Sequence, residues 1–380
     1  FRSFPGGPHS AEMRREKNPE RRNAAMEHVL IINTGNTSTK VGLYQGDREI
    51  LVSSIKHSDD VLARYQDLNE QLAYRKDLIL KWMEDNGVEA ASLTAVAARG
   101  GLLKPLQSGT YLVCETMLRD LREGRRGMHA SHLSAQIGHE IASEQGIKCY
   151  VVDPISVDEL QPEARYSGHA LFERISLSHA LNMKAVAKRY AREQNRSYPE
   201  LRLIVVHLGT GVSLSSHLGG RMIDISNPSE EGPFSLDRAG SVPVLAAAEY
   251  LLREKLSLKE FRTLMFGKGG LFSYLGTMDF MKVEADIRSG DAKSEEVVRA
   301  MAYQIAKEIG AQAAVLEGDV HQIIFTGGMA HARFFVDLIT RRTSFISDHT
   351  VYPGEDEIQA LALGVLRVLR GEETARSYDD

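Results

Sequence analysis

The sequence predicts an α/β protein made of two βββαβα halves that share a nucleotide between them. Three glycine-rich turns, each at the end of an apolar strand, carry that prediction. The first follows Val29-Leu30-Ile31-Ile32, where Asn33-Thr34-Gly35-Asn36-Thr37-Ser38 leads into a second strand bearing Lys40. The second follows Leu203 to Val206 as His207-Leu208-Gly209-Thr210-Gly211. The third is Gly327-Gly328, after Ile323-Ile324-Phe325-Thr326. Backbone N–H groups and hydroxyls in such turns can surround phosphate oxygens, and a lysine adds a point charge. A polar β-hairpin turn is the plainer reading of the first segment alone, and the recurrence of the device favours a nucleotide.

The elements follow in order. Strands are expected over 29–34, 39–45 and 49–55, then one amphipathic helix over about 59–85. A strand over 93–98 ends at Arg99-Gly100-Gly101, and a helix over 132–144 leads to a strand over 147–152 that ends at Asp153-Pro154. The pattern then restarts with strands over 202–206, 212–217 and 221–225. Helices over 243–253, 258–266, 278–288 and 294–316 precede a strand over 321–325, a helix from about residue 331 and a last helix over 356–369. The two halves repeat a topology without repeating a sequence, and no low-complexity linker separates them.

Bulk properties exclude several classes. The 380 residues are 43% hydrophobic and 26% charged, enough for two globular cores. A formal net charge of −5 leaves no basic surplus for nucleic acid or a membrane surface. Cys114 and Cys149 are the only cysteines, too few for a disulfide framework or a cysteine zinc site. Cytoplasm is the expected compartment. Residues 1–25 carry Gly, Pro, Arg and three glutamates with little apolar periodicity. They read as a disordered extension ahead of a start at Met26, since transit peptides avoid acids.

Several side chains suggest chemistry on small anions. Arg99 stands at the carboxyl end of a strand, and Arg238 lies in an irregular segment, Glu231 to Gly240. Guanidinium forks bind carboxylate and phosphate, so the pair could hold an acid and a transferring phosphoryl group. For either one alone a surface ion pair is the commoner use. Asp153 could orient a substrate or a magnesium-bound water, or cap a turn. His179 could donate to a phosphoryl group or be a satisfied half-buried histidine.

These motifs resemble the acetokinase family within the superfamily of sugar kinases, heat-shock-70 proteins and actin, and within it the branch that acts on butyrate. Asn33-x-Gly35-x-Thr37-Ser38-x-Lys40 is similar to the family's first signature, and His207-x-Gly209-x-Gly211-x-Ser213 to its second. Gly232-Pro233-Phe234-Ser235 with Arg238 is similar to the segment that carries a catalytic arginine. The resemblance spans nearly everything from Met26 onward. It implies two actin-like (ribonuclease H-like) domains, 26–153 and 154–357, the first completed by a helix over 358–372.

It also implies reversible transfer of the γ-phosphoryl group of ATP to a short-chain carboxylate. Arg99, Asp153, His179 and Arg238 would be catalytic. Asn33, Thr37, Ser38, Lys40, His207, Gly209, Thr210, Gly211, Asp279, Gly327 and Gly328 would surround the nucleotide. Asn33 with Glu357, or else Glu355, would hold Mg²⁺. A homodimer or larger even assembly is implied, without nucleic acid or membrane partners. The acetate kinases carry a further catalytic-type histidine upstream of the one matching His179, for which no counterpart is evident in the sequence.

Four positions depart from the family pattern: Asn36 where Ser or Thr is usual, Glu230 for Gly, Ala239 for Ser, and Met281 near a usual arginine. Gly100 and Gly101 replace β-branched residues after the arginine. That reads as room for a longer acyl chain, favouring butyrate or a branched C4–C5 acid over propionate or acetate. A nucleotide-dependent switch of the actin or heat-shock type is the alternative from another class.

Overall fold

A computed structural model describes residues 26–380; the expected extension over 1–25 lies outside the described residues. The strands are β1 (His28–Thr34), β2 (Ser38–Gln45), β3 (Arg48–Lys56), β4 (Ala95–Ala98), β5 (Thr110–Leu112), β6 (Lys148–Val152), β7 (Leu203–Leu208), β8 (Val212–Leu218), β9 (Arg221–Ser226), β10 (Gln322–Gly327) and β11 (His349–Pro353). The helices are α1 (Asp59–Leu62), α2 (Gln71–Asp85), α3 (Glu115–Glu123), α4 (His132–Glu144), α5 (Ala180–Glu193) and α6 (Val244–Arg253). They continue with α7 (Leu258–Met265), α8 (Gly270–Leu275), α9 (Phe280–Arg288), α10 (Ala292–Val315), α11 (Arg333–Thr343) and α12 (Glu357–Leu369).

Two mixed sheets share one order. The first runs β3-β2-β1-β4-β6-β5 and the second β11-β10-β7-β8-β9. In each, an antiparallel meander of three strands continues through its first strand into parallel neighbours, β1 beside β4 and β7 beside β10. The central strands are buried on both faces, which explains why Val29 to Ile32 and Leu203 to Val206 are unbroken apolar runs rather than alternating ones.

Helices cover both faces. On the first sheet, α12 seats Ile358, Leu361 and Val365 against Val29, Ile31 and Val152. The approach is close: a Cβ on Gly364 would stand 2.5 Å from Val152 Cγ1, and one on Gly42 only 2.8 Å from Ile358 Cγ2. On the second sheet, α5 packs Met183 and Ala187 against Leu203, Val205 and Ile324, while α10 and α11 cover the opposite face. α5 and α12 lie against each other between the two sheets.

Three differences from the sequence reading have local causes. The single helix expected over 59–85 is broken, because Asp67 and Glu70 form a capping box that restarts the chain before α2. β5 and β11 were not expected. They are short edge strands of three and five residues, held mainly by pairing to buried neighbours. α3 and α8 were also not foreseen; α3 ends at Gly124 in the left-handed conformation.

Candidate active site

The carboxyl ends of β1, β4, β7 and β10 bring the sequence motifs together. β1 and β4 are in parallel register, Ile32 opposite Ala98, so Asn33 and Arg99 emerge side by side. Both meet Glu357 at the start of α12. Asn33 Nδ2 donates to Glu357 Oε2 at 2.7 Å, and Arg99 Nη1 donates to the same oxygen at 3.0 Å. Arg99 Nη1 also lies 3.5 Å from Asn33 Oδ1.

From the second sheet, His207 closes β7 and Gly209 to Gly211 form the turn into β8. His207 Nδ1 donates to Asn182 Oδ1 at 2.7 Å. Its ring stacks on that of His179, centroids 3.9 Å apart, and His179 Nδ1 meets Ser213 Oγ at 2.8 Å. His207 Nε2 stands 3.0 Å from Glu355 Oε1, not aligned as a hydrogen bond. The neighbouring His207 lowers the Glu355 carboxyl, which burial would otherwise raise; Arg99 and Lys40 lower it further. Lys40 is exposed on β2 opposite Asn33.

Both glycines in this turn are needed for side chains rather than for positive φ. A Cβ on Gly209 would stand 2.5 Å from His207 Nε2, and one on Gly211 would stand 2.2 Å from Arg238 Nη1. Arg238 therefore lies directly across the turn. Its guanidinium stacks on Phe266, 4.3 Å from the ring centroid, and burial lowers its pKa. Arg238 Nε is buried without a hydrogen-bond partner; Asp237 Oδ1 is 3.6 Å away. Thr210 is exposed, and its carbonyl accepts from Leu236 N at 3.2 Å, tying this turn to the arginine segment.

Arg99, at the end of β4, and Arg238, in the irregular segment between β9 and α6, act on the same two histidines. Burial, then His207, Arg238 and Arg99, push His179 well below the usual imidazole value. Burial, then Arg99, His132 and Arg238, bring His129 down to about 4. Two guanidinium groups beside imidazoles held neutral give a site that favours an anion. Ser178 Oγ, Ser235 Oγ and Arg238 Nε are buried here without partners.

His129 was missed in the sequence. It lies in the loop before α4, far from any recognisable motif. Thr34, at the end of β1, holds the loop: its Oγ1 donates to Ala130 O at 2.6 Å, and its N–H donates to Ser134 Oγ at 2.8 Å.

Other expected residues stand differently. Asp153 is not joined to the arginines. Its Oδ1 accepts from Gly109 N at 2.7 Å, and its Oδ2 is 3.8 Å from Lys188 Nζ. It lines a cavity of about 490 Å³ behind the site, between α5 and α12. Asp279 is exposed and caps α9 by accepting from Lys282 N, beside the exposed Met281. Gly327 has φ +91° and packs against the Leu208 backbone, while Gly328 faces open space. Thr37 and Asn36 are exposed and Ser38 is half-buried in the first turn.

Gly100 and Gly101 do not make room for substrate. A Cβ on Gly100 would stand 2.6 Å from Pro154 Cβ and from Val151 Cγ1, and one on Gly101 would stand 2.0 Å from His132 Cδ2. The protein fills that space itself, so the acyl-pocket argument from these glycines fails.

For Mg²⁺, the available groups are oxygens: Asn33 Oδ1, Glu357 and Glu355. Among the described residues no three or more His, Cys, Asp or Glu groups form a direct metal cage. This set fits a cation that keeps several waters and binds through phosphates and one or two carboxylates.

Comparison with known proteins agrees with this geometry. Residues 173–344 match the model of the Acetokinase family. The chain is 47% identical over 353 residues, 93% of its length, to the whole of probable butyrate kinase 2 from Caldanaerobacter subterraneus subsp. tengcongensis. Its fold is similar to that of Porphyromonas gingivalis acetate kinase, with a TM-score of 0.76 at 17% identity, covering 90% of this chain and 100% of that one. A propionate kinase from Francisella tularensis gives 0.74 at 15% identity, covering 89% and 99%. An identity of 47% over 93% of the chain, with the family match, gives one conclusion: the chain belongs to the acetokinase family.

Proposed function

We propose that this protein is an ATP-dependent kinase of short-chain carboxylates, with butyrate or a branched C4–C5 acid as substrate. The observation that carries the reading is the convergence of Arg99 and Arg238 on two half-buried histidines whose imidazoles they help to hold neutral, with Arg238 Nε left unpaired. The acid's oxygen attacks the γ-phosphorus while the bond from that phosphorus to the β-phosphate oxygen breaks, giving an acyl phosphate and ADP. A carboxylate is already ionised near neutral pH, so no strong base is required. What the step needs is cancellation of charge as two anions approach.

In this reading Arg99 holds the acid and Arg238 the transferring group, with His129 and His179 as neutral hydrogen-bond donors. The turns at Gly35–Ser38, Gly209–Gly211 and Gly327–Gly328, with Lys40, surround the phosphates. Asn33 and Glu357 would hold Mg²⁺, which would supply positive charge to offset that of the phosphates. Asp153 is assigned to orientation through Gly109 and Lys188 rather than to contact with substrate. The two lobes divide near Asp153, with α12 returning to the first. The preference for four or five carbons rests on the relative's name, since the glycines give it no support.

Hydroxamate trapping of acyl phosphate from Mg-ATP and acids from acetate to isovalerate tests the reading. A maximum at four or five carbons is expected. A maximum at acetate or propionate would reassign the substrate, and no product from folded protein would favour a nucleotide-dependent switch. Since its substrates are ATP and a small acid, we assign the protein to the cytoplasm. We also propose a homodimer. α6 buries none of its own residues and leaves Val244, Leu245 and Leu252 about three-quarters exposed, an apolar face suited to a second copy. A monomeric mass by light scattering would overturn that.

A further inference from the structure

Among the described residues the largest fully buried side chain is an arginine without an acidic partner. Arg75, on α2, is 1% exposed, and every acceptor it meets is neutral. Nε and Nη2 donate to Gln71 Oε1 at 3.1 and 2.8 Å. Nη1 donates to Gly35 O at 2.8 Å and to Thr39 Oγ1 at 3.2 Å, and Nη2 donates to Asn36 O at 3.1 Å. An unpaired buried charge is costly, so its retention here asks for a counter-charge near the turn it grips.

The grip fixes the turn's polarity. Gly35 O and Asn36 N belong to one peptide unit, and Asn36 O and Thr37 N to the next. Both units are trans, as are all peptide bonds among the described residues, so each N–H points opposite to its carbonyl. With both carbonyls pulled onto the guanidinium, the Asn36 and Thr37 N–H groups point away from α2, on the exposed side of the turn. They form a short nest of donors with a positive charge behind it. The acceptor side is locked as well. Thr39 Oγ1 accepts from Arg75 and also meets His57 Nε2 at 2.9 Å, and His57 Nδ1 meets Tyr74 OH at 3.2 Å. Burial, then Arg75, bring His57 down to about 4, which keeps it a neutral acceptor near pH 7.

We infer that Arg75 is a positioning residue for nucleotide phosphate: it aims the Asn36 and Thr37 N–H groups and supplies the buried charge that a phosphate offsets. The inference rests on the kinase reading above and deepens it. The turn's amide donors, and not only Lys40 and the hydroxyls, set phosphate affinity. This also accounts for a tolerated Asn at position 36, since the contact is made by its backbone.

The test is calorimetric binding of Mg-ATP, Mg-ADP and adenosine to wild type, Arg75→Lys and Gln71→Met. Lysine keeps the charge but cannot hold two carbonyls and a hydroxyl in one plane. Arg75→Lys is expected to weaken ATP and ADP about tenfold and to leave adenosine unchanged, because adenosine has no phosphate. In steady state the KM for ATP should rise, with the KM for the acid unchanged. Gln71→Met, which loosens the guanidinium from behind, should give a smaller loss of the same kind, and it serves if Arg75→Lys does not fold. Equal weakening of adenosine, or ATP affinity within twofold of wild type in both folded variants, would overturn the inference. Wild type binding adenosine but neither nucleotide would overturn both this inference and the kinase reading, whereas normal wild-type binding with unaffected variants would overturn this one alone.

Discussion

Gly211→Ala isolates the contribution of Arg238 placement to turnover. The backbone tolerates the change, because Gly211 is not among the positive-φ residues. The new methyl carbon would stand 2.2 Å from Arg238 Nη1 and 2.4 Å from Cζ. An ordinary contact is about 3.5 Å, so the guanidinium must withdraw by more than about 1 Å. The obstacle is the far end of a flexible side chain, so the fold can yield. The stability cost is the loosened stack on Phe266, on the order of 0.5–1 kcal/mol. A misplacement of about 1 Å in a reacting array costs roughly 100-fold in rate, or about 2.7 kcal/mol of barrier. The assay is hydroxamate-trapped product against time, with a thermal melt of the same preparation. The expected pattern is kcat down about 100-fold with a melting temperature within a few degrees of wild type. A folded variant whose kcat stays within about threefold would refute the reasoning that Arg238 must cross this turn to act.

Two further outcomes are expected. Gly101→Ala forces a methyl group to 2.0 Å from the fully buried His132 ring, whose Nε2 accepts from Leu102 N. It should destabilise by about 1–3 kcal/mol in urea unfolding without changing the order of preference among acids; a shift in that order would restore a pocket behind Arg99. The second concerns pH. His129 is lowered to about 4 by burial, then Arg99, His132 and Arg238, and His217 to about 3 by burial, then Lys184. Both folded values lie below the unfolded one, so below about pH 6.5 the unfolded chain binds more protons and stability falls with pH. Unfolding at pH 5 should take up about two protons from this pair, read as the slope of unfolding free energy against pH. A flat profile from pH 7 to 5 would mean that neither imidazole is held neutral.

The hairpins and their turns were legible because their signal is local: an apolar run long enough to be buried on both faces, then glycines and small polar residues. Asn33, Arg99, His207 and Arg238 could be marked for the same reason, each lying at a strand end or in a glycine-rich segment. His129 could not, since a lone histidine in a polar loop has no period or spacing. It is the Thr34 contacts, across a gap of about 100 residues, that bring its loop to the site. Arg75 carries no signal in the sequence, because arginines on amphipathic helices are usually solvated; only the turn folding over it makes it internal. Gly100 and Gly101 misled in the opposite direction, because sequence shows a missing side chain but not the neighbour that occupies the space. β5 and β11 escaped because short edge strands owe their form to a partner elsewhere.

Glu357 joins Asn33 and Arg99 from the opposite end of the fold, on a helix that also seals the face of β1. During synthesis that helix leaves the ribosome about 300 residues after β1. Until then the nascent first lobe exposes Val29, Ile31 and Val152 to solvent, a surface of the kind that chaperones bind and that nucleates aggregation. The contacts that complete the first lobe are among the longest-range in the chain, so its closure is a slow step. A growing chain therefore cannot assemble this cluster piecemeal: Asn33 and Arg99 are made early, and the carboxylate that joins them arrives only after both sheets have been synthesised.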